Sequence, residues 1–198
     1  MTAGPGKSSR TRGQLALLVA LFFAPLVLAF LMYYGSHWRP PGRTNHGTLI
    51  EPARPLARVA LQRPDGGSAG DGVLVGRWSL LYVASGECDA ACHQTLYFMR
   101  QSYLAMGNLI PRLQQVFLAT GQCCDRAFLA REHPDLLALD GGGGAAAAWL
   151  AQIPVDARAH TLFIVDPRGN LMMRYDALTD PKGLREDLKK LLDLSHIG

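Results

Sequence analysis

Cys88 and Cys92 stand four positions apart in the stretch GECDAACHQTLYFM. Residues at i and i+4 of a helix share a face, so a helix opening here would aim both sulfurs at one place. Free amides and the positive end of the helix dipole stabilise thiolates at such a start. Thiolate is both the nucleophile of disulfide exchange and a soft-metal ligand, so the pair can close as a disulfide, exchange with another one, or chelate a metal ion. The plainest alternative is a structural disulfide, although a bond across one helical turn closes too small a loop to add much stability.

Two thiolates need a third soft or borderline donor to make a good metal site. The candidates are His93, His133, His160, the Met172–Met173 pair and Cys123–Cys124. His93 follows Cys92 directly and would sit about 100° around the helix, which reads as a surface position. Met172 and Met173 alternate along an expected strand, and core packing explains them. Adjacent cysteines bond only with strain, so Cys123 and Cys124 read as two loop thiols. A resolving pair for Cys88 or Cys92 is the lesser alternative.

The elements that must position these groups follow from periodicity. Residues 79–84 form an apolar, Leu- and Tyr-containing run expected to be a buried central strand. Ala91, Leu96, Met99, Tyr103 and Met106 then recur at helical spacing, and Gly107 supplies a stop. Residues 112–120 return to strand character. Weaker helical signals cover 124–133 and 145–152, around a low-complexity GGGGAAAA run. A hairpin is expected from strands 161–165 and 170–175 joined by Asp-Pro-Arg-Gly. An amphipathic helix follows, with Pro181 near its start and Leu184, Leu188, Leu191 and Leu192 on one face. Upstream, LARVALQRPDGG alternates and ends in a turn signal, so it predicts a first strand. A βαβ unit followed by a ββα unit is the layout of an α/β, thioredoxin-like fold, a central mixed sheet flanked by helices. Cys88 and Cys92 fall where the first central strand feeds its helix. In that topology the loop before the hairpin approaches the same helix end, which makes His160 the histidine brought near the cysteines.

The chain has 198 residues, 48% of them hydrophobic and 18% charged, with a net charge of +4. Without Lys7, Arg10 and Arg12, 17 basic residues face 16 acidic ones. The nearly neutral remainder excludes a nucleic-acid binder that works through a basic stripe. Gly13 to Ser36 carries no charge, and its apolar heart is long enough to span a bilayer. Pro25 lies inside it, which transmembrane helices tolerate. Tyr33, Tyr34 and Trp38 mark an interface. The run exceeds a signal-peptide h-region and lacks a small-x-small cleavage site, so it predicts an uncleaved anchor. The basic flank keeps the N-terminus in the cytoplasm. The expected organisation is a flank at 1–13, a transmembrane helix at 14–34, a linker at 35–55 and the thioredoxin-like domain at 56–198. That domain would face an oxidising space, the periplasm in a Gram-negative cell.

Two stretches carry a more specific resemblance. GRWSLLYVASGECDAACHQTLYFMRQ and HTLFIVDPRGNLMMRY resemble the signature regions of the Sco (SenC) family through Trp78, Cys88, Cys92, His160, Asp166, Pro167 and Gly169. The resemblance covers roughly 48–194 and implies a membrane-anchored, thioredoxin-like protein that delivers copper to cytochrome c oxidase. It implies a copper site of Cys88, Cys92 and His160 that holds Cu(I), with Cu(II) as a further candidate. The implied partner is the oxidase subunit that carries the dicopper centre, with a thiol reductant beside it. The chain departs from the pattern at Asp89 and His93, where prolines usually follow the cysteines. It departs again at Ala159, where an acidic residue usually precedes the histidine; Asp156 lies a little earlier. Two other readings stand beside copper delivery. One is a thiol–disulfide oxidoreductase of the cell envelope using Cys88 and Cys92. The other is a Sco-like scaffold that binds no metal.

Overall fold

A run of apolar residues is stable as a strand only if both faces of its sheet are covered. Trp78–Ser85 meets that condition. In the computed structural model, which describes residues 7–35, 44–153 and 160–198, it is the central strand β2, buried from Trp78 to Val83. Its side chains alternate between two layers. Leu80 and Tyr82 join a cluster with Leu96, Met99 and Tyr103, and with Leu184, Leu188 and Leu192. Leu81 and Val83 join an opposite cluster with Val116, Leu118, Phe163 and Trp149. Each fully buried side chain of this size contributes about 1.5–3 kcal/mol of transfer free energy.

The elements run α1 (Lys7–Gly35), β1 (Thr48–Pro55), β2, α2 (Ala90–Leu104), β3 (Leu113–Thr120), α3 (Arg126–Glu132), β4 (Leu136–Asp140), α4 (Ala147–Leu150), β5 (Thr161–Val165), β6 (Asn170–Asp176) and α5 (Pro181–Leu194). One six-stranded sheet has the order β1-β6-β5-β2-β3-β4. The pairs β2–β3 and β3–β4 are parallel, and the other three pairs are antiparallel. This is the mixed sheet of a thioredoxin-like fold. The central strands, α2, the hairpin and α5 lie within a residue or two of their expected positions.

The β5–β6 turn follows from Asp166. Its carboxylate accepts hydrogen bonds from the backbone N–H of Arg168 and Asn170, and Gly169 takes a positive φ of 89°. Helix α5 starts at Asp180, whose side chain accepts from Gly183 N, with Pro181 in the first turn.

Three expectations are corrected. The linker expected at 35–55 ends early. Residues 36–43 lie outside the described ones, and Thr48–Pro55 is an edge strand paired with β6, within a compact unit that runs from Thr44 to Gly198. The strand expected at LARVALQRPDGG is absent from that segment, which makes only an isolated bridge between Gln62 and Ser68. Its alternation has another cause: Leu56 and Leu61 are buried anchors of a loop lying on the second cluster. Strand β4 was not anticipated; it adds a third parallel strand beside β3.

Helix α1 forms its own unit. Arg12–Gly35 is long and apolar enough to cross a membrane, and its apolar side chains are exposed.

Candidate functional site

Strand β2 ends at Ser85 and the chain turns at once. Gly86 N donates to Thr120 O (2.9 Å) and Cys88 N to Ser85 O (3.2 Å). Cys88 has φ 45°, in the left-handed region that costs a non-glycine residue about 1–2 kcal/mol. Asp89 is the N-cap of α2, its Oδ1 accepting from Cys92 N at 2.9 Å. The tight turn and the cap together put both cysteines at the mouth of the helix.

Cys88 and Cys92 are joined as a disulfide, with Cα atoms 5.1 Å apart. Cys88 is half-buried at the surface end, and Cys92 is buried in the core beneath. The bonded partner that an outside thiol reaches first is therefore Cys88. The cap has an electrostatic consequence that the spacing alone did not reveal. The Asp89 carboxylate occupies the Cys92 N–H that would otherwise face an anion, and it sets a negative charge on the first turn of the helix. Below the pair, Tyr82 has its hydroxyl pKa pushed up to about 12. Burial is the main cause, a hydrogen bond with Thr95 works against it, and the charge of Asp89 adds to it.

His160 directly precedes β5, which runs antiparallel to β2. Leu162 pairs with Tyr82 and Leu80 with Ile164. Continuing this register, His160 falls level with Ala84, at the end of β2 from which Cys88 follows. Its carbonyl accepts from Ala177 N at 3.0 Å. Its Nδ1 is buried and, among the described residues, has no hydrogen-bond partner. A buried imidazole nitrogen left without a partner is costly unless something else uses it. Among the described residues, no three His, Cys, Asp or Glu side chains are gathered as a metal-holding group. In this state the two sulfurs are bonded to each other. The preceding positions, including Asp156 and Ala159, lie outside the described residues.

The other candidates are dispersed. His93 packs edge-on against Phe128, with ring centroids 4.3 Å apart. His133 is buried, and its pKa is lowered, first by burial and then by Arg100 and His93, with Glu132 opposing. The two histidines, with Tyr97, Arg100, Phe128 and Glu132, line a groove of about 260 Å³. Met173 is buried in the first cluster and Met172 is packed against it. Trp78 is a core residue, as expected. Cys123 and Cys124, in the loop after β3, are paired with each other, which corrects their reading as two loop thiols.

Sequence reasoning missed Asp187. This buried carboxylate accepts from Tyr175 Oη (2.5 Å), His46 N (2.6 Å) and Gly47 N (3.1 Å), and so ties the start of the domain to α5. Its position on the leucine face of α5 was the available signal: a lone acid within an apolar stripe.

The model of the family described as transmembrane-like, thioredoxin-like, C-terminal domain matches residues 78–195. The chain belongs to this family. No curated protein matches it. Among solved structures, apo Sco1 from Thermus thermophilus superposes with a TM-score of 0.58 at 19% identity, covering 76% of this chain and 99% of that one. Yeast Sco1 with copper bound gives 0.60 at 16% identity, covering 78% and 96%. BsSco, described with a disulfide switch and as a member of the Sco family of cytochrome c oxidase assembly proteins, gives 0.56 at 13% identity, covering 75% and 99%. At these identities the likeness is one of fold. The resemblance to Sco proteins found in the sequence therefore holds for the architecture of this transmembrane-like, thioredoxin-like family member.

Proposed function

We propose that the protein is a membrane-anchored, Sco-like copper-binding assembly factor for cytochrome c oxidase. When reduced, Cys88 and Cys92 hold Cu(I) as cargo, and His160 supplies the third donor. The observation that carries this reading is the buried Nδ1 of His160, which has no partner among the described residues and belongs to the residue just before β5, the strand paired with the one that feeds Cys88. The donor set is soft sulfur with one imidazole, which selects Cu(I) over harder ions. Helix α1 anchors the chain in the cytoplasmic membrane, with its N-terminus in the cytoplasm and the domain in the periplasm. Anchoring raises the effective concentration of donor and client, the oxidase subunit with the dicopper centre. Cargo passes by ligand exchange. Closing the Cys88–Cys92 disulfide removes both thiolates and ends binding, so an external thiol reductant is needed for each round.

Titration of the fully reduced chain with Cu(I) against a competing chelator tests this. One tightly held ion per chain is expected, with at least a tenfold loss of affinity in His160→Ala. No Cu(I) uptake by reduced protein would falsify the reading.

The bonded state of Cys88 and Cys92 favours a second reading, a thiol–disulfide oxidoreductase acting on an oxidase subunit. It expects a mixed disulfide with the client in Cys92→Ser and no effect of His160→Ala on exchange.

A further inference from the structure

Both cysteine pairs leave the sheet at the same corner. β2 and β3 are parallel neighbours, and their last paired residues are Ser85 and Thr120. Cys88 lies three positions past Ser85, and Cys123 three positions past Thr120. The two loops touch directly. Gly86 N bonds to Thr120 O, and a Cβ placed on Gly86 would sit 2.8 Å from the Cα of Cys123. The helices that follow are pinned together by the His93–Phe128 ring contact. Cys88, Cys123 and Cys124 are all half-buried and packed on the cluster that contains Cys92. Nothing in copper binding by Cys88, Cys92 and His160 uses the second pair.

The geometry points to an intramolecular thiol–disulfide relay, in which the Cys123–Cys124 disulfide is the electron acceptor for the Cys88/Cys92 dithiol. The relay rests on the proposed function only in needing a reducible Cys88–Cys92 pair. The Cα atoms of Cys123 and Cys124 are 3.3 Å apart. An unstrained disulfide spans about 4.4–6.8 Å, and strained disulfides are the more oxidising ones. Electrons therefore run from the first pair to the second. An external dithiol first reduces Cys88–Cys92. The Cys88 thiolate then attacks Cys123 Sγ: the Cys88–Cys123 bond forms, the Cys123–Cys124 bond breaks, and Cys124 leaves as a thiolate that takes up a proton. Next the Cys92 thiolate attacks Cys88 Sγ, which closes Cys88–Cys92 and releases Cys123 as a thiolate that is protonated in turn. Two electrons and two protons have moved from one pair to the other, with no added oxidant. For a chain that holds Cu(I) on the first pair, the second pair is a built-in means of ending that hold.

The test uses the full chain in detergent with Cys92→Ser, purified without reductant, quenched in acid, alkylated and peptide-mapped. The second step is blocked in this variant, so a disulfide linking Cys88 to the Cys123–Cys124 peptide should accumulate in most molecules. Because Cys92 is buried, Cys92→Ala is mapped in parallel, and the link in either variant supports the relay. Alkylated Cys88 beside an intact Cys123–Cys124 bond in both variants overturns it. Wild-type chain given one equivalent of dithiothreitol should end with Cys123 and Cys124 alkylated and Cys88–Cys92 closed. The opposite distribution overturns the assigned direction. A Cys88–Cys92 bond that dithiothreitol in excess cannot open would defeat the copper reading itself. A reducible pair that binds Cu(I) yet never links to Cys123 defeats the relay alone.

Discussion

The residue that most alters the expected chemistry is Asp89. A helix start with free amides was expected to favour thiolates, but here the first turn is capped by a carboxylate. That carboxylate opposes the dipole where the sulfurs sit, since a like charge nearby disfavours an anion. Serine caps a helix about as well as aspartate and carries no charge. Asp89→Ser should therefore leave thermal stability nearly unchanged while the reduced Cys88/Cys92 pair reacts faster with iodoacetamide at neutral pH. A gain of about three- to tenfold is expected, the size of a shift of up to one pK unit. Equal alkylation rates in the two proteins would show that the carboxylate is screened from the sulfurs. Which residues would carry the chemistry was legible from type and spacing, for Cys88 and Cys92 above all. The sign of their electrostatic surroundings was not, because it depends on a cap whose side chain turns back onto the helix.

At the scale of elements, what was legible is what is periodic and buried on both sides. β2, α2, β3, the β5–β6 hairpin and α5 each bury a repeating set of apolar side chains, and their register follows from that set. The strands that escaped are edges. TLIEPARP carries two prolines and exposed charges, which an edge strand tolerates because one side of its ladder is unpaired. LLALD is too short to show a period of its own and is a strand because β3 is there to pair with it. The meeting of the two cysteine loops was hidden for a related reason, being a close contact between elements far apart in sequence at Gly86. A methyl group at that position would collide with the Gln122 carbonyl and crowd Cys123. Gly86→Ala should then cost about 1–3 kcal/mol, the usual penalty of overpacking, read as a lowered midpoint in denaturant. Wild-type stability in this variant would mean that the two loops separate at little cost.

For the whole molecule, the question is whether α1 matters to the fold or only to where the fold works. Among the described residues, both hydrophobic clusters are built from residues after Thr44, and the Asp187 bonds to His46, Gly47 and Tyr175 fasten the beginning of that unit to its last helix. Residues 44–198 produced alone should therefore fold cooperatively, with native near-ultraviolet circular dichroism and no binding of the dye that reports exposed apolar surface. Under the proposed function, they should also keep the Cu(I) stoichiometry of the full chain. What truncation removes is co-localisation. Confinement of two partners to one membrane replaces a bulk encounter by a local one, and tethering of this kind enhances engagement by about a hundredfold or more. Under the proposed function, copper transfer from the truncated protein to the oxidase subunit in vesicles should therefore slow by a large factor at equal concentration and recover as the soluble protein is raised. A truncated domain that is molten would place part of the fold's stability in the first 43 residues. One that folds and transfers as fast as the anchored chain would remove effective concentration from the account of why this domain is tethered.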